Sequence, residues 1–319
     1  MFLRPNFLDI KEKFMKRVRF LSGALALALV FSTLVPLDIH ADSVADNKAA
    51  VTKRKDIDET GTKLKTSKTV DGIKYSLTID LTKWDGYTNV EQFDHIEELF
   101  YEVYPQMYRR FGDYKSAPKD VVIAIEDEGY EIASARPKAG RIHLHDKYLD
   151  KHYDHFDVLT HELAHVIHGG FEKKNLEFDK YTEVFADYCR YIYAYRNGRY
   201  NDKNWELPDA NKQKTRQCSI RFLVWLDMET SSSSRDIIRD FFEVCCNPDF
   251  KKENWGEMWK SLFKGTKFEG KTIDEVFEIY KKSEFAYYSS KAPDKDTKSE
   301  LLKKTDVRNF IKKNSYSFK

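Results

Sequence analysis

His161-Glu162-Leu163-Ala164-His165 is the stretch whose residue types and spacing can do hydrolytic chemistry. On an α-helix, residues four apart share a face with Cβ atoms about 5–6 Å apart, so both imidazoles can reach one zinc ion. Glu162 then stands beside them. There a carboxylate can take a proton from a zinc-bound water, whose pKa the metal lowers to about 7, and hand it to a leaving amine. The plain alternative is a solvated polar helix face. Val158-Leu159 and Val166-Ile167 frame the motif with core-type residues, and two buried imidazoles and a carboxylate without partners would cost several kcal/mol.

A catalytic zinc needs a third protein ligand. Seven of the nine histidines lie between His143 and His168 and none follows, so the ligand is a carboxylate or comes from within the cluster. Tyr181-Thr182-Glu183-Val184-Phe185-Ala186-Asp187 places two carboxylates four apart, 18 residues past His165. Glu183 can ligate the metal while Asp187, one turn on, accepts the other ring N–H of a ligating histidine. The competitor is His168. The HExxHxxGxxH pattern fails, because His168 stands at its glycine and Phe171 at its third histidine. The preferred set is His161, His165 and Glu183. With no histidine downstream, Tyr188, Tyr191 and Arg216 are the candidates for steadying an oxyanion, although Tyr188, Tyr191 and Tyr195 are also spaced like a packed helix face.

The elements that must position these groups follow from periodicity. Residues 75–81 alternate as a half-buried strand ending at Asp85-Gly86, and 121–125 form an apolar, β-branched run expected at the centre of a sheet. Residues 132–134 and 141–145 flank Pro137-Lys138-Ala139-Gly140 and predict a hairpin with one polar side. Phe93, Ile96, Leu99, Phe100, Val103, Met107 and Phe111 recur at helical spacing, interrupted by Pro105. Helices are predicted over 156–168, 181–196, 220–226, 237–244, 255–263 and 273–280, the last opened by a Thr272/Glu275 capping box.

The chain of 319 residues, 41% hydrophobic and 14% aromatic, can bury a sizeable core. Its mean hydropathy of −0.65 excludes a multi-spanning membrane protein. Lys16, Arg17 and Arg19 precede an apolar run over 21–37 and small residues near Ala41, the order of a signal peptide over 1–41, with Met15 as an alternative start. An uncleaved membrane anchor is the rival reading. The leader holds six of the 54 Lys/Arg and three of the 52 Asp/Glu, leaving 48 basic against 49 acidic residues. A balance so even gives no reason to expect nucleic acid as a partner. Residues 42–69 are polar and aperiodic and read as a linker, 70–286 as the folded domain, and 287–319 as a Lys-rich tail. Cys189, Cys218, Cys245 and Cys246 lack CxxC spacing and read as buried small hydrophobes, with one disulfide left open.

The HExxH helix followed by Glu-x-x-x-Asp resembles the gluzincin group of zinc peptidases. More closely, residues 121–125, 141–145, 161–168, 182–188, 220–223 and 270–277 are similar, in order, to the plant basic secretory protein family and its microbial relatives, over roughly residues 74–285. The resemblance implies an α+β, zincin-like fold, with a small twisted sheet packed on the HExxH helix and a mainly helical C-terminal half. It also implies a secreted, monomeric, zinc-dependent peptidase acting on peptides or proteins, with His161, Glu162 and His165 carried over directly and Glu183 and Asp187 from the acidic helix. Extended substrate is expected to pair with the strand at 141–145. The chain departs from the family in its near-neutral mature charge, in His168 where glutamine is usual, and in Val184 where glycine is usual. A secreted defence- or binding-type domain that keeps zinc with little turnover is the alternative.

Overall fold

The computed structural model describes residues 38–112, 117–127, 132–151, 157–169, 179–193, 216–231, 233–245, 247 and 249–283. The leader run at 21–37 and the tail at 287–319 lie outside them. Residues 1–46 and 47–319 form two compact units, the first described only through the opening residues of helix α1 (Asp38–Val51). The second unit is α+β, built on one five-stranded mixed sheet.

The sheet begins earlier than the sequence predicts. Strand β1 (Lys63–Val70) lies inside the stretch expected to be a linker and pairs antiparallel with β2 (Ile73–Asp80) along its whole length. The expected linker at 42–69 is therefore corrected: it holds most of a helix and an edge strand. Asp71 and Gly72 make the two-residue turn, both at positive φ (48° and 79°), as a tight hairpin following the strand twist requires. Lys63, Lys65 and Lys68 along β1 suit an edge strand, whose outer side is met by the short bridge of Ile57 with Leu64.

From β2 the chain crosses through helix α2 (Glu91–Met107) to β3 (Asp120–Glu126), which runs parallel to β2. Strand β5 (Arg141–His145) adds parallel to β3, and β4 (Ala133–Arg136) closes the outer edge antiparallel to β5. The order β1-β2-β3-β5-β4 places β3 at the centre, as its apolar run predicts. It also corrects the expectation for 141–145: β5 is flanked on both sides, and the edge strand on that side of the sheet is β4.

One face of the sheet carries the core. Tyr75, Leu77, Ile79, Val121, Ile123, Ile125, Ile142 and Leu144 are buried with Phe93, Ile96, Phe100, Val103 and Met107 of α2. The alternate residues make the polar side foreseen for the hairpin, where Arg141 donates to Asp80 at 3.0 Å, His143 meets Glu126, and His145 lies 3.0 Å from Asp127. Pro105 does not break α2 at its own position; the helix runs two residues further and ends in a π turn over Tyr108–Gly112.

After a short helix α3 (Asp146–Lys151), the remaining described elements are mainly helical: α4 (Asp157–His168), α5 (Asp179–Tyr193), α6 (Arg216–Thr230), α7 (Ile237–Cys245), α8 (Trp255–Phe263) and α9 (Ile273–Lys281). Helix α4 packs on β4, β5, α2 and α5, and so stands between the sheet and the helical half. The capping box at α9 is formed, with the Glu275 amide donating to Thr272 Oγ1 and the Thr272 amide to Glu275.

Candidate metal centre

Helix α4 is amphipathic in an unusual way: Leu159, Leu163, Ala164, Val166 and Ile167 enter the core while His161 and Glu162 are themselves buried, at 8% and 6% exposure. Its first residue, Asp157, is buried at the positive end of the helix dipole and accepts from Arg190 Nε and Nη2 of α5 at 2.8 and 2.5 Å. Its last turn closes with the Gly169 amide donating to the His165 carbonyl at 3.0 Å, and the left-handed φ of +69° at Gly169 ends the helix there. Helices α4 and α5 are thereby fixed against each other, and Val184, Phe185, Ala186 and Tyr188 fill the seam from the α5 side.

Across that seam the expected groups meet. His161 Nε2 and His165 Nε2 are 3.2 Å apart, and the two oxygens of Glu183 lie 3.5 Å from the first and 3.4 Å from the second. Two ligand atoms about 2.05 Å from a tetrahedral zinc ion would stand about 3.3 Å from each other. The three side chains therefore fit a zinc ion, two nitrogens and a carboxylate oxygen being a donor set that zinc accepts. Among the described residues this is the only group of three or more such side chains with converging donor atoms.

Asp187 completes the arrangement. Its Oδ1 lies 2.8 Å from His161 Nδ1, which holds that nitrogen as the donor and leaves Nε2 facing Glu183 and His165. Burial disfavours a charged His161, but the hydrogen bonds to Asp187 and Glu183, with the charges of Asp187 and Glu162, outweigh it and raise its pKa to about 9. A metal held there at neutral pH would have to displace that proton.

Glu183 differs from expectation in one respect. Its apolar neighbours suggest a buried face, yet its side chain is 44% exposed. It is the most exposed of the three side chains, against 10% for His161 and 14% for His165.

Two of the remaining expected residues are described, and neither belongs to the centre. His168 is fully buried and stacks on Phe185, ring centroids 4.3 Å apart, with Phe242 at its edge; it is a core side chain. Tyr188 is corrected as an oxyanion candidate: its hydroxyl is buried, donates to Asp227 and accepts from Arg110 Nη1 at 3.0 Å. The side chains of Tyr191 and Arg216 lie outside the described residues, as do Tyr195, Cys218 and Cys246. Cys189 is a buried free thiol and Cys245 is buried, in line with their reading as small hydrophobes.

Sequence reasoning missed two groups behind the site, the Asp157–Arg190 pair and a buried cluster of Arg110, Tyr188, Asp227 and Asp236. The signal for the second was a charge inside an apolar pattern: Arg110 beside Phe111, and Asp227 directly after the run 220–226. Comparison with known proteins adds nothing to this geometry, since no family model and no curated protein matches the chain.

Proposed function

We propose that this chain is a secreted, zinc-dependent peptidase of gluzincin type, similar to the basic secretory protein family, that hydrolyses peptide bonds with Glu162 as general base. The observation that carries the reading is the convergence of His161, His165 and Glu183 at tetrahedral spacing with a buried glutamate directly beside His161. A site serving structure alone has no use for that glutamate.

Zinc, when bound, would polarise the scissile carbonyl and lower the pKa of a bound water to about 7. His161, His165 and Glu183 would hold the ion, and Asp187 keeps the His161 ring in the ligating tautomer. Glu162 takes the water's proton on a carboxylate oxygen and delivers it to the amide nitrogen of the departing chain. Extended substrate adds to β4, the edge strand that packs against α4. No described helix is long and apolar enough to cross a membrane.

The test pairs metal content with turnover. Full-length parent and Glu162→Gln are assayed for zinc and for hydrolysis of a general protein substrate. Zinc in both with hydrolysis in the parent alone is expected. Zinc in both with no hydrolysis in either would leave a secreted zinc-binding domain.

A further inference from the structure

Arg110 is 3% exposed and makes contacts in three directions. Its Nε and Nη2 donate to the two oxygens of Asp236 at 2.5 and 2.9 Å, Nη2 also reaches both oxygens of Asp227 at 3.2 Å, and Nη1 donates to Tyr188 at 3.0 Å. Tyr188 in turn donates to Asp227. These residues come from the π turn, α5, α6 and the approach to α7, up to 126 positions apart in sequence. An ion cluster so buried is a weak source of stability, because desolvation offsets most of the attraction, and an apolar replacement often does as well. What it supplies is a fixed geometry: a planar guanidinium fork accepts its partners in few orientations.

The element it fixes is the one that carries the carboxylates. Asp187 and Tyr188 are consecutive on α5 and so project about 100° apart, one toward His161 and the other toward Arg110. A rotation of α5 by about 20° would carry a carboxylate some 5–6 Å from the helix axis through about 2 Å. That is enough to break the 2.8 Å contact between Asp187 and His161 and to withdraw Glu183 from both histidines. Packing around Phe185 and the Arg190–Asp157 pair hold α5 on the α4 side. The directional bonds at the Tyr188 hydroxyl hold it on the opposite side. The π turn has a role here as well: it ends α2 with Arg110 turned into the core while its neighbour Arg109 pairs with Asp71 at the β1–β2 turn.

We propose that Arg110 and Tyr188, with Asp227, are positioning residues of the metal centre, setting the rotation of α5 so that Glu183 and Asp187 meet the two histidines. This rests on the zinc reading above. Arg110 and Asp227 hold Tyr188, the residue next to Asp187 on α5, so their effect reaches the carboxylates through that helix.

Zinc affinity of the full-length protein, measured by competition with a chromophoric chelator, and the visible absorption of the cobalt-substituted form test it. Tyr188→Phe, which removes only an oxygen, is expected to bind zinc about 2–30-fold more weakly and to alter the cobalt bands. Asp227→Asn carries the same expectation should Tyr188→Phe fail to fold. Val276→Ala, a core change in α9, serves as a comparator that is expected to lose stability and keep the parental affinity and spectrum. Parental affinity and spectrum in folded Tyr188→Phe, or equal weakening in Val276→Ala, would overturn the inference and leave the zinc reading intact. A parent that takes up no zinc overturns both.

Discussion

Asp187 Oδ1 lies 2.8 Å from His161 Nδ1, across the seam between α4 and α5, and this contact decides which nitrogen of His161 faces the centre. With Nδ1 committed, Nε2 points to the place where His165 and Glu183 also converge. Asp187→Asn keeps the shape and a hydrogen-bond acceptor but removes the charge that makes His161 basic. Zinc affinity by chelator competition is expected to fall by about 10–100-fold, with the fold retained.

Glu162→Gln separates chemistry from binding. The amide fits the same buried place yet cannot accept the water's proton, so zinc content holds while hydrolysis falls by at least about 10²-fold. Initial rates at saturating zinc, parent against variant, measure this. Equal rates would remove Glu162 as the base.

His168→Ala is expected to cost stability and not metal. Its ring is fully buried against Phe185 and Phe242, and deleting it opens a cavity worth about 2–4 kcal/mol. Denaturant unfolding should show the loss while zinc stoichiometry stays at the parental value. Loss of metal at unchanged stability would make His168 a ligand.

Asp236 gives the protein an acid-sensitive contact. Burial opposes its ionisation, but the charge and hydrogen bonds of Arg110 outweigh that and hold its pKa below the usual carboxylate range. A carboxylate with a depressed folded pKa stabilises the fold fully above its unfolded pKa of about 4 and loses that contribution as pH falls through the folded value. Asp236→Asn should therefore be less stable than the parent at pH 7, by about 1–3 kcal/mol, and the gap should narrow below pH 4. Denaturant midpoints at the two pH values check the sign; a gap that widens in acid contradicts it.

Much of this architecture is legible in the sequence because its signals are local. Helix α4, the pairing of Glu183 with Asp187 and the apolar run of β3 all show in the period of a few residues. β1 is not legible in that way: Lys63–Val70 places only Leu64 and Val70 as apolar residues on the core side of an edge strand, and its clearest mark is the Asp71-Gly72 turn that follows. The order of β4 and β5 depends on which strand β3 selects, a long-range choice that alternation within either strand does not encode. Arg110 and Asp236 meet across 126 positions, and a charge inside an apolar pattern at Arg110 does not say which carboxylate it will meet.

Metal analysis of purified full-length protein decides the ligand set. The parent and Glu162→Gln are expected to carry one zinc per chain, while His161→Ala, His165→Ala and Glu183→Ala, each folded by near-UV circular dichroism, carry none after dialysis against a weak chelator. Stoichiometric zinc in Glu183→Ala, or a parent without zinc after reconstitution, would contradict the account.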